Sequence, residues 1–327
     1  MKPALVIRWT FAALANTLGL IGAGATQAQD YPNRSITMIV PFPPGAATDA
    51  IARLVRDGMS EILGQTVVID NRGGAGGTTG SALVASAAPD GYTLLLPASA
   101  SLTMNPFMQK NYPFDPRTGL SAISFVAEST LFLCVHPSLP VKNVAEFIAF
   151  AKQNPGKLSY GTSGVGSGHH VAGELIKQKT GIDMVHVPYR GGGPAMQDLV
   201  AGNILVAFAT APAALPQAEA GKIRILASNR PKRDPELPDV PTIGETIPGI
   251  GSVSWFGLFA PAGTPAPIIT KLNGTLKTIL AKKDVAEKFK PQGLKPWYST
   301  PAELDEFVKS EYDYWGKVIP SVGLEPS

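Results

Sequence analysis

The chain has 327 residues, 44% of them hydrophobic and 16% charged. That balance excludes wholesale disorder, and the length is too great for one ordinary core, so two domains are expected. The net charge of +3 comes with no dense Lys/Arg run interleaved with aromatics, which argues against nucleic acid as a partner, and the single cysteine, Cys134, excludes an internal disulfide.

Lys2 and Arg8 flank the start of the apolar stretch WTFAALANTLGLIGAGA, which runs on to Thr26-Gln27-Ala28. A charged, then apolar, then small-residue order reads as an export leader, residues 1–28, cleaved after Ala28. A membrane anchor is the weaker reading, because Thr10, Asn16 and Thr17 and several glycines interrupt a run already short for a span. Cleavage removes two of the 28 basic residues and no acidic one, so the mature charge is close to zero and says little about partners.

Strand-length apolar runs then alternate with helical periodicity. SITMIVP (35–41) passes through PFPPGAATD into DAIARLVRDGMSEILG (49–64). There Ile51, Leu54, Val55, Met59, Ile62 and Leu63 recur on one helical face and Gly64 is the stop. The strand TVVID (66–70), the helix TTGSALVASA (78–87) and the strand GYTLLLP (91–97) follow. ISFVAE (123–128) and LFLCVHP (131–137) are strands in close succession, and Cys134 reads as a small buried apolar residue of the second.

Next come the helix NVAEFIAFAKQ (143–153), the strand LSYGTS (158–163), the helix HHVAGELIKQKT (169–180) and the strand MVHVPYR (184–190). PAMQDLVAG (194–202) is helical, and ILVAFAT (204–210), IRILASN (223–229) and SWFGLFAP (254–261) are strands. Two long helices, 265–282 and 301–319, close the chain. Alternating strands and helices predict an α/β architecture with mostly parallel sheets. No single linker marks a boundary, so the stretches 124–129 and 250–255 are taken as strands crossing between two lobes. Lobe 1 is then 29–129 with 253–327, and lobe 2 is 130–252.

Four strand-to-helix joints share one character: PFPPGAATD, ASASLTMNP (98–106), YGTSGVGSGHH (160–170) and PYRGGGPA (188–195). A fifth, TAPAALP (210–216), is less polar. Open α/β sheets bind ligands beyond the carboxyl ends of their strands, where helix N-termini present unpaired N–H groups suited to an anion. From these joints Ser99, Ser101, Asn105 and Thr210 are candidate contacts. Arg190 has two readings, a bidentate clamp or a solvated charge at a loop edge.

No nucleophile elbow is present, since GTSGVG has the wrong spacing, and no Walker loop occurs. GGAGGTTG (73–80) follows a strand but misses the dinucleotide spacing. His170 and Glu174 stand four apart on a helix, yet His136 and His186 add no chelating pattern, so no metal and no cofactor are expected.

Taken in order, PFPPGAATD, DNRGGAGGTTG, APDGYTLLL, NPGKLSYGTSGVGSGHH, VHVPYRGGGPAMQDLVAG, LPDVPTIGE and SWFGLFAPAGTP resemble the extracytoplasmic solute receptors of the tripartite tricarboxylate transporter family, the Bordetella uptake or Bug proteins. The resemblance covers essentially the whole mature chain. It implies a type II periplasmic-binding-protein fold, two α/β lobes closing on a ligand cleft, in a protein that makes and breaks no bond. It further implies a small carboxylate ligand (an amino acid, a di- or tricarboxylate or an aromatic acid), integral-membrane permease partners, a periplasmic location and a monomer.

Carried over by position, the family's first-lobe loop falls on Phe42, Pro44, Gly45, Ala46, Thr48 and Asp49. In the second lobe it falls on Thr162, Ser163, Gly164, Ser167, Tyr189, Gly191 and Gly192. The chain departs from the family at Ala46, where a second glycine is usual, and at His169, where a small polar residue is usual. Ala209 and Thr210 replace an Asp-Asn-type pair. Two other readings stay open: a sensing subunit for a membrane kinase, and an exported hydrolase or lyase using His169 or His170 as a base.

Overall fold

The computed structural model describes residues 31–321, 323, 324 and 326; the expected leader, 1–28, lies outside the described residues. Eleven strands build two sheets among them. The first holds β1 (Ile36–Val40), β2 (Val67–Asn71), β3 (Thr93–Leu95), β4 (Leu120–Ser129), β10 (Ser254–Pro261) and β11 (Leu294–Pro296) in the order β11-β4-β10-β3-β1-β2. The second holds β5 (Leu131–Val135), β6 (Leu158–Thr162), β7 (Met184–Pro188), β8 (Val206–Thr210) and β9 (Arg224–Ser228) in the order β7-β6-β8-β5-β9.

Ten α-helices among the described residues cover the sheets. They are α1 (Ala47–Leu63), α2 (Thr78–Ala85), α3 (Ser99–Thr103), α4 (Val144–Gln153) and α5 (Gly168–Thr180), then α6 (Gly192–Ala201), α7 (Ala211–Glu219), α8 (Ala266–Leu280), α9 (Lys283–Phe289) and α10 (Pro301–Ser321). The α1 stripe behaves as its periodicity predicts, with Ile51, Val55, Met59 and Leu63 buried and Gly64 ending the helix in the left-handed conformation. Ile62 departs from that stripe and faces out, 40% exposed.

Each lobe has its own core. Ile36, Met38, Leu94, Leu258 and Leu272 belong to the first, and Leu133, Phe147, Tyr160, Ile176 and Phe208 to the second. Burying such a side chain stabilises the fold by roughly 1.5–3 kcal/mol. Cys134 is fully buried in the second sheet and burial pushes its thiol pKa up, as expected of a packing residue.

The sheets are mixed rather than mostly parallel. β1 runs parallel to β2 and β3, and β6 parallel to β7 and β8, but β10 is antiparallel to β3 and β4, and β5 to β8 and β9. The reason lies in the crossing. β4 passes into β5 through Thr130 alone, and a strand that arrives straight from the other sheet cannot share the direction of the βαβ units.

The two crossings are tied together. The Asn229 N–H donates to the Leu131 carbonyl at 2.7 Å, and Asn229 Nδ2 donates to Ser252 Oγ at 2.9 Å. Beside them Arg230 pairs with Glu128 at 3.0 Å and Lys295 with Asp234 at 2.6 Å, both between sheets. On the far side of the cleft, Val171 of α5 packs with Ala100, Met104, Trp315 and Ile319. The lobes thus meet both at the hinge and at the opposite rim.

Candidate functional site

The PFPPGAATD loop is held from behind. Asn71, paired in register with Val40, donates from Nδ2 to the Phe42 carbonyl at 2.9 Å and to Asp49 Oδ1 at 3.2 Å. Asp49 also accepts the Gly45 N–H at 3.0 Å and Arg53 Nε at 3.0 Å. Burial opposes its ionisation, but the hydrogen bonds from Arg53, Gly45 and Asn71 outweigh it and hold the carboxyl below its usual range. The acid is therefore spent on the loop. The N-cap of α1 is Ala46, with no side-chain cap, and Thr48 Oγ1 is buried without a partner.

The second lobe mirrors this. Ser167 Oγ donates to the Gly164 carbonyl at 2.7 Å and caps α5 by accepting the His170 N–H at 3.3 Å. Thr162 Oγ1 lies 2.7 Å from His186 Nε2 and accepts the Gly164 N–H at 3.3 Å, so it shapes the loop. Gly191 caps α6, backed by Pro43 of the other lobe. Thr210 is the N-cap of α7, again without a side-chain cap.

These joints converge on one cavity of about 70 Å³. From lobe 1 it takes Phe42, Gly45, Ala46, Thr48 and Ser99; from lobe 2 it takes Ser163, Ser167, His169, Gly192 and Thr210. Among the described residues no Lys, Arg, Asp or Glu lines it. Four helices of nine residues or more, α1, α5, α6 and α7, start at its wall. Their unpaired N–H groups supply partial positive charge in place of a base. His169 adds none, because burial lowers its pKa to about 4 and the ring is neutral near pH 7.

An outer chamber of about 670 Å³ shares Phe42 and Ser163 with the inner one. Pro44, Gly164, Tyr189 and Arg190 line it. Burial and the adjoining Asp198 push Tyr189 up to about 12, and its hydroxyl donates to Asp198 Oδ2 at 2.6 Å.

Asp49, Ser101, Asn105, Thr162 and Gly191 line neither chamber. Ser101 and Asn105 instead donate to the Gly76 carbonyl, each at 3.0 Å, and so hold the outer wall. That wall, Gly73 to Gly77, was not anticipated as part of a site; its glycine run was the available signal. Pro212 and Ala213 of the fifth joint, TAPAALP, also line the inner cavity, as do Ser254 and Phe256 on a crossing strand, to which no pattern in SWFGLFAP points.

His170 is not in the cavity wall. It stacks on His186, while Glu174 accepts the Tyr160 hydroxyl at 2.5 Å and Lys177 Nζ at 2.9 Å. Neither is presented as a metal ligand or a base to the cleft.

The family model described as tripartite tricarboxylate transporter family receptor matches residues 51–324. Protein BugT of Bordetella pertussis is 36% identical over 305 residues, 93% of this chain and 94% of BugT. Among solved structures, R. palustris Rpa4515 with adipate is 37% identical with a TM-score of 0.87, covering 91% of this chain and 100% of that one. MatC from Rhodopseudomonas palustris with bound malate is 32% identical with a TM-score of 0.83, covering 88% and 100%.

Proposed function

This chain belongs to the tripartite tricarboxylate transporter family of receptors, and on that premise we propose that it captures a small organic carboxylate between its lobes in the periplasm and hands it to a membrane permease. The observation that carries the proposal is the neutral cavity at which helix N-termini from both lobes begin. Such a site binds an anion through oriented N–H groups without fixing a proton, which suits capture and release better than turnover. Residues from both lobes line it, so a ligand gains contacts when the lobes close and shifts an open–closed equilibrium toward the closed state.

Export through the 1–28 leader is part of the same proposal. The family's solved relatives carrying adipate and malate support a carboxylate as the ligand class. Thermal unfolding of the mature protein against a panel of organic acids is the test. An acid at about a hundred times its Kd should add about 2.7 kcal/mol of stability. A folded preparation that no acid stabilises would sink the proposal. Delivery is read separately, as uptake of the identified acid in cells with and without this receptor.

A further inference from the structure

The outer chamber, about 670 Å³, has one wall on which only donors are left free. Along Gly74 to Gly77 every main-chain carbonyl is taken from within lobe 1. The Gly74 carbonyl accepts the Gly77 N–H at 2.9 Å, and the Ala75 carbonyl accepts Gln109 Nε2 at 3.0 Å. Ser101 and Asn105 occupy the Gly76 carbonyl, and Ser81 Oγ donates to the Gly77 carbonyl at 2.8 Å. The N–H groups of Gly73, Gly74, Ala75 and Gly76 have no acceptor among the described residues. A trans peptide sets each carbonyl opposite the next N–H, so tying the Ala75 carbonyl to Gln109 turns the Gly76 N–H away from it. Gly73, Gly74 and Ala75 are exposed and Gly76 is half-buried, which leaves these donors open to a ligand. Ala75 holds a left-handed φ of +46°, rare for a residue with a Cβ, and the bonds from Gln109 and Asn105 fix it there.

Lobe 2 brings Arg190 to the same chamber. Its side chain is exposed and makes no hydrogen bond or ion pair to any described residue. Among the described residues no Asp or Glu lines the chamber. The acids next to it are committed elsewhere: Asp198 to Tyr189 and Asn203, Asp70 to Arg72, and Asp49 to Arg53. A row of free main-chain N–H groups on one lobe and an unpaired guanidinium on the other make a site for an anion. The inner cavity is about 70 Å³, and a single water needs about 10–15 Å³ of such space. It takes one carboxylate and a few carbons. A longer acid continues past Phe42 and Ser163, which border both chambers.

We infer that the outer chamber is a second anion subsite, in which Arg190 and the N–H groups of Gly73 to Gly76 bind the distal carboxylate of a dicarboxylate whose first carboxylate sits in the inner cavity. The inference rests on the receptor reading above and narrows its ligand class to acids with two separated charges.

The test is calorimetric titration of the mature protein with α,ω-dicarboxylates from succinate to suberate, each against its own monoamide. The monoamide keeps the length and shape of the diacid and loses only the second charge. In the wild-type protein the diacid that fits should bind roughly tenfold tighter or more than its monoamide. Arg190→Gln should bring that ratio close to one, and Arg190→Lys, which keeps the charge but not the planar fork, should retain part of it. The amide resonances of Gly73 to Gly76 should move with the diacid and stay in place with the monoamide. Equal binding of diacid and monoamide by the wild type, a ratio that survives Arg190→Gln, or amides that the second charge leaves unmoved would overturn the subsite and leave the receptor reading intact. So would a ligand found among other organic acids when no diacid of the series binds. Absence of binding by any organic acid would overturn the receptor reading and this one with it. The wild-type comparison needs no variant, so it decides even if a substitution at Arg190 impairs folding.

Discussion

His170 and His186 stack face to face, with ring centroids 3.9 Å apart and planes 13° from parallel. They join α5 to β7 directly behind the cleft loop, because Thr162 Oγ1 meets His186 Nε2 and the Gly166 N–H points at His170 Nδ1 at 3.5 Å. Burial lowers the His186 pKa to about 4, helped by His170 and Lys177 and opposed by Glu174. Burial likewise lowers His170.

A pH prediction follows from these directions. The unfolded chain takes up the His186 proton near pH 6.5, whereas the folded chain resists until about pH 4, and His170 is lowered in the same direction. Stability contributed above pH 6.5 is therefore lost as the pH falls from about 6.5 toward 4. The slope has an upper bound of about 1.4 kcal/mol per pH unit for each histidine. Thermal midpoints across that window should fall, and His186→Asn should flatten the fall. Parallel curves for the two proteins would contradict this account.

Gly166 faces the Asn105 side chain of the other lobe across the cleft. An added Cβ would stand 2.0 Å from Asn105 Oδ1, and φ is +80°. Gly166→Ala should leave the protein folded but unable to close fully, at a backbone cost of about 1–3 kcal/mol. Ligand affinity should drop roughly tenfold or more, in proportion to the closed population lost. Small-angle scattering with and without the bound acid reads closure directly; an unchanged compaction would show that the lobes close without this contact.

Asp49 holds the first-lobe loop through Gly45, Asn71 and Arg53 while lining neither chamber. Asp49→Ala should cost about 0.5–1.5 kcal/mol of stability by removing the acceptor shared by Gly45, Asn71 and Arg53, donors that stay partly solvated. It should also weaken every acid by a similar factor, because it loosens the loop instead of removing one ligand contact. Urea unfolding together with titration of two different acids checks both halves; a change in preference between the acids would make Asp49 a direct contact.

Ala46 lies in the cavity wall with φ −72° and ψ 161°, a conformation that does not require glycine. Its methyl group therefore occupies space without strain. Ala46→Gly should admit ligands with more bulk at that point and cost less than about 1 kcal/mol of stability. Competition between a linear acid and its branched homologue is the measurement, and an unaltered ratio would remove Ala46 from the selectivity argument.

Much of this architecture was legible from local pattern. All ten expected strands are present within a few residues of their ends, because continuous apolar β-branched runs have few other folded states. β11, the three residues Leu294–Pro296, was too short to carry a period. The fifth joint implies a helix at α7, but Pro212, Pro216 and a run of alanines with no clear apolar face hide its extent. Strand direction was misjudged because whether two strands run parallel is a property of the pair, and neither sequence carries it.

The site divides in the same way. Glycine, proline and small hydroxyls at successive strand ends were enough to locate the cleft, since those residues dictate backbone conformation where they stand. Side-chain direction was not legible. Asp49 and Thr48 are neighbours in the chain, yet one turns back to brace its own loop and the other faces the cavity. His169 and His170 divide likewise, one into the cavity wall and one onto His186. Adjacent helical positions point about 100° apart, and which of them meets the cleft depends on the partners brought in by residues far along the chain, here Asn71 and His186. Local chemistry placed the loops at the mouth of a binding cleft; long-range packing chose which atoms a ligand would meet.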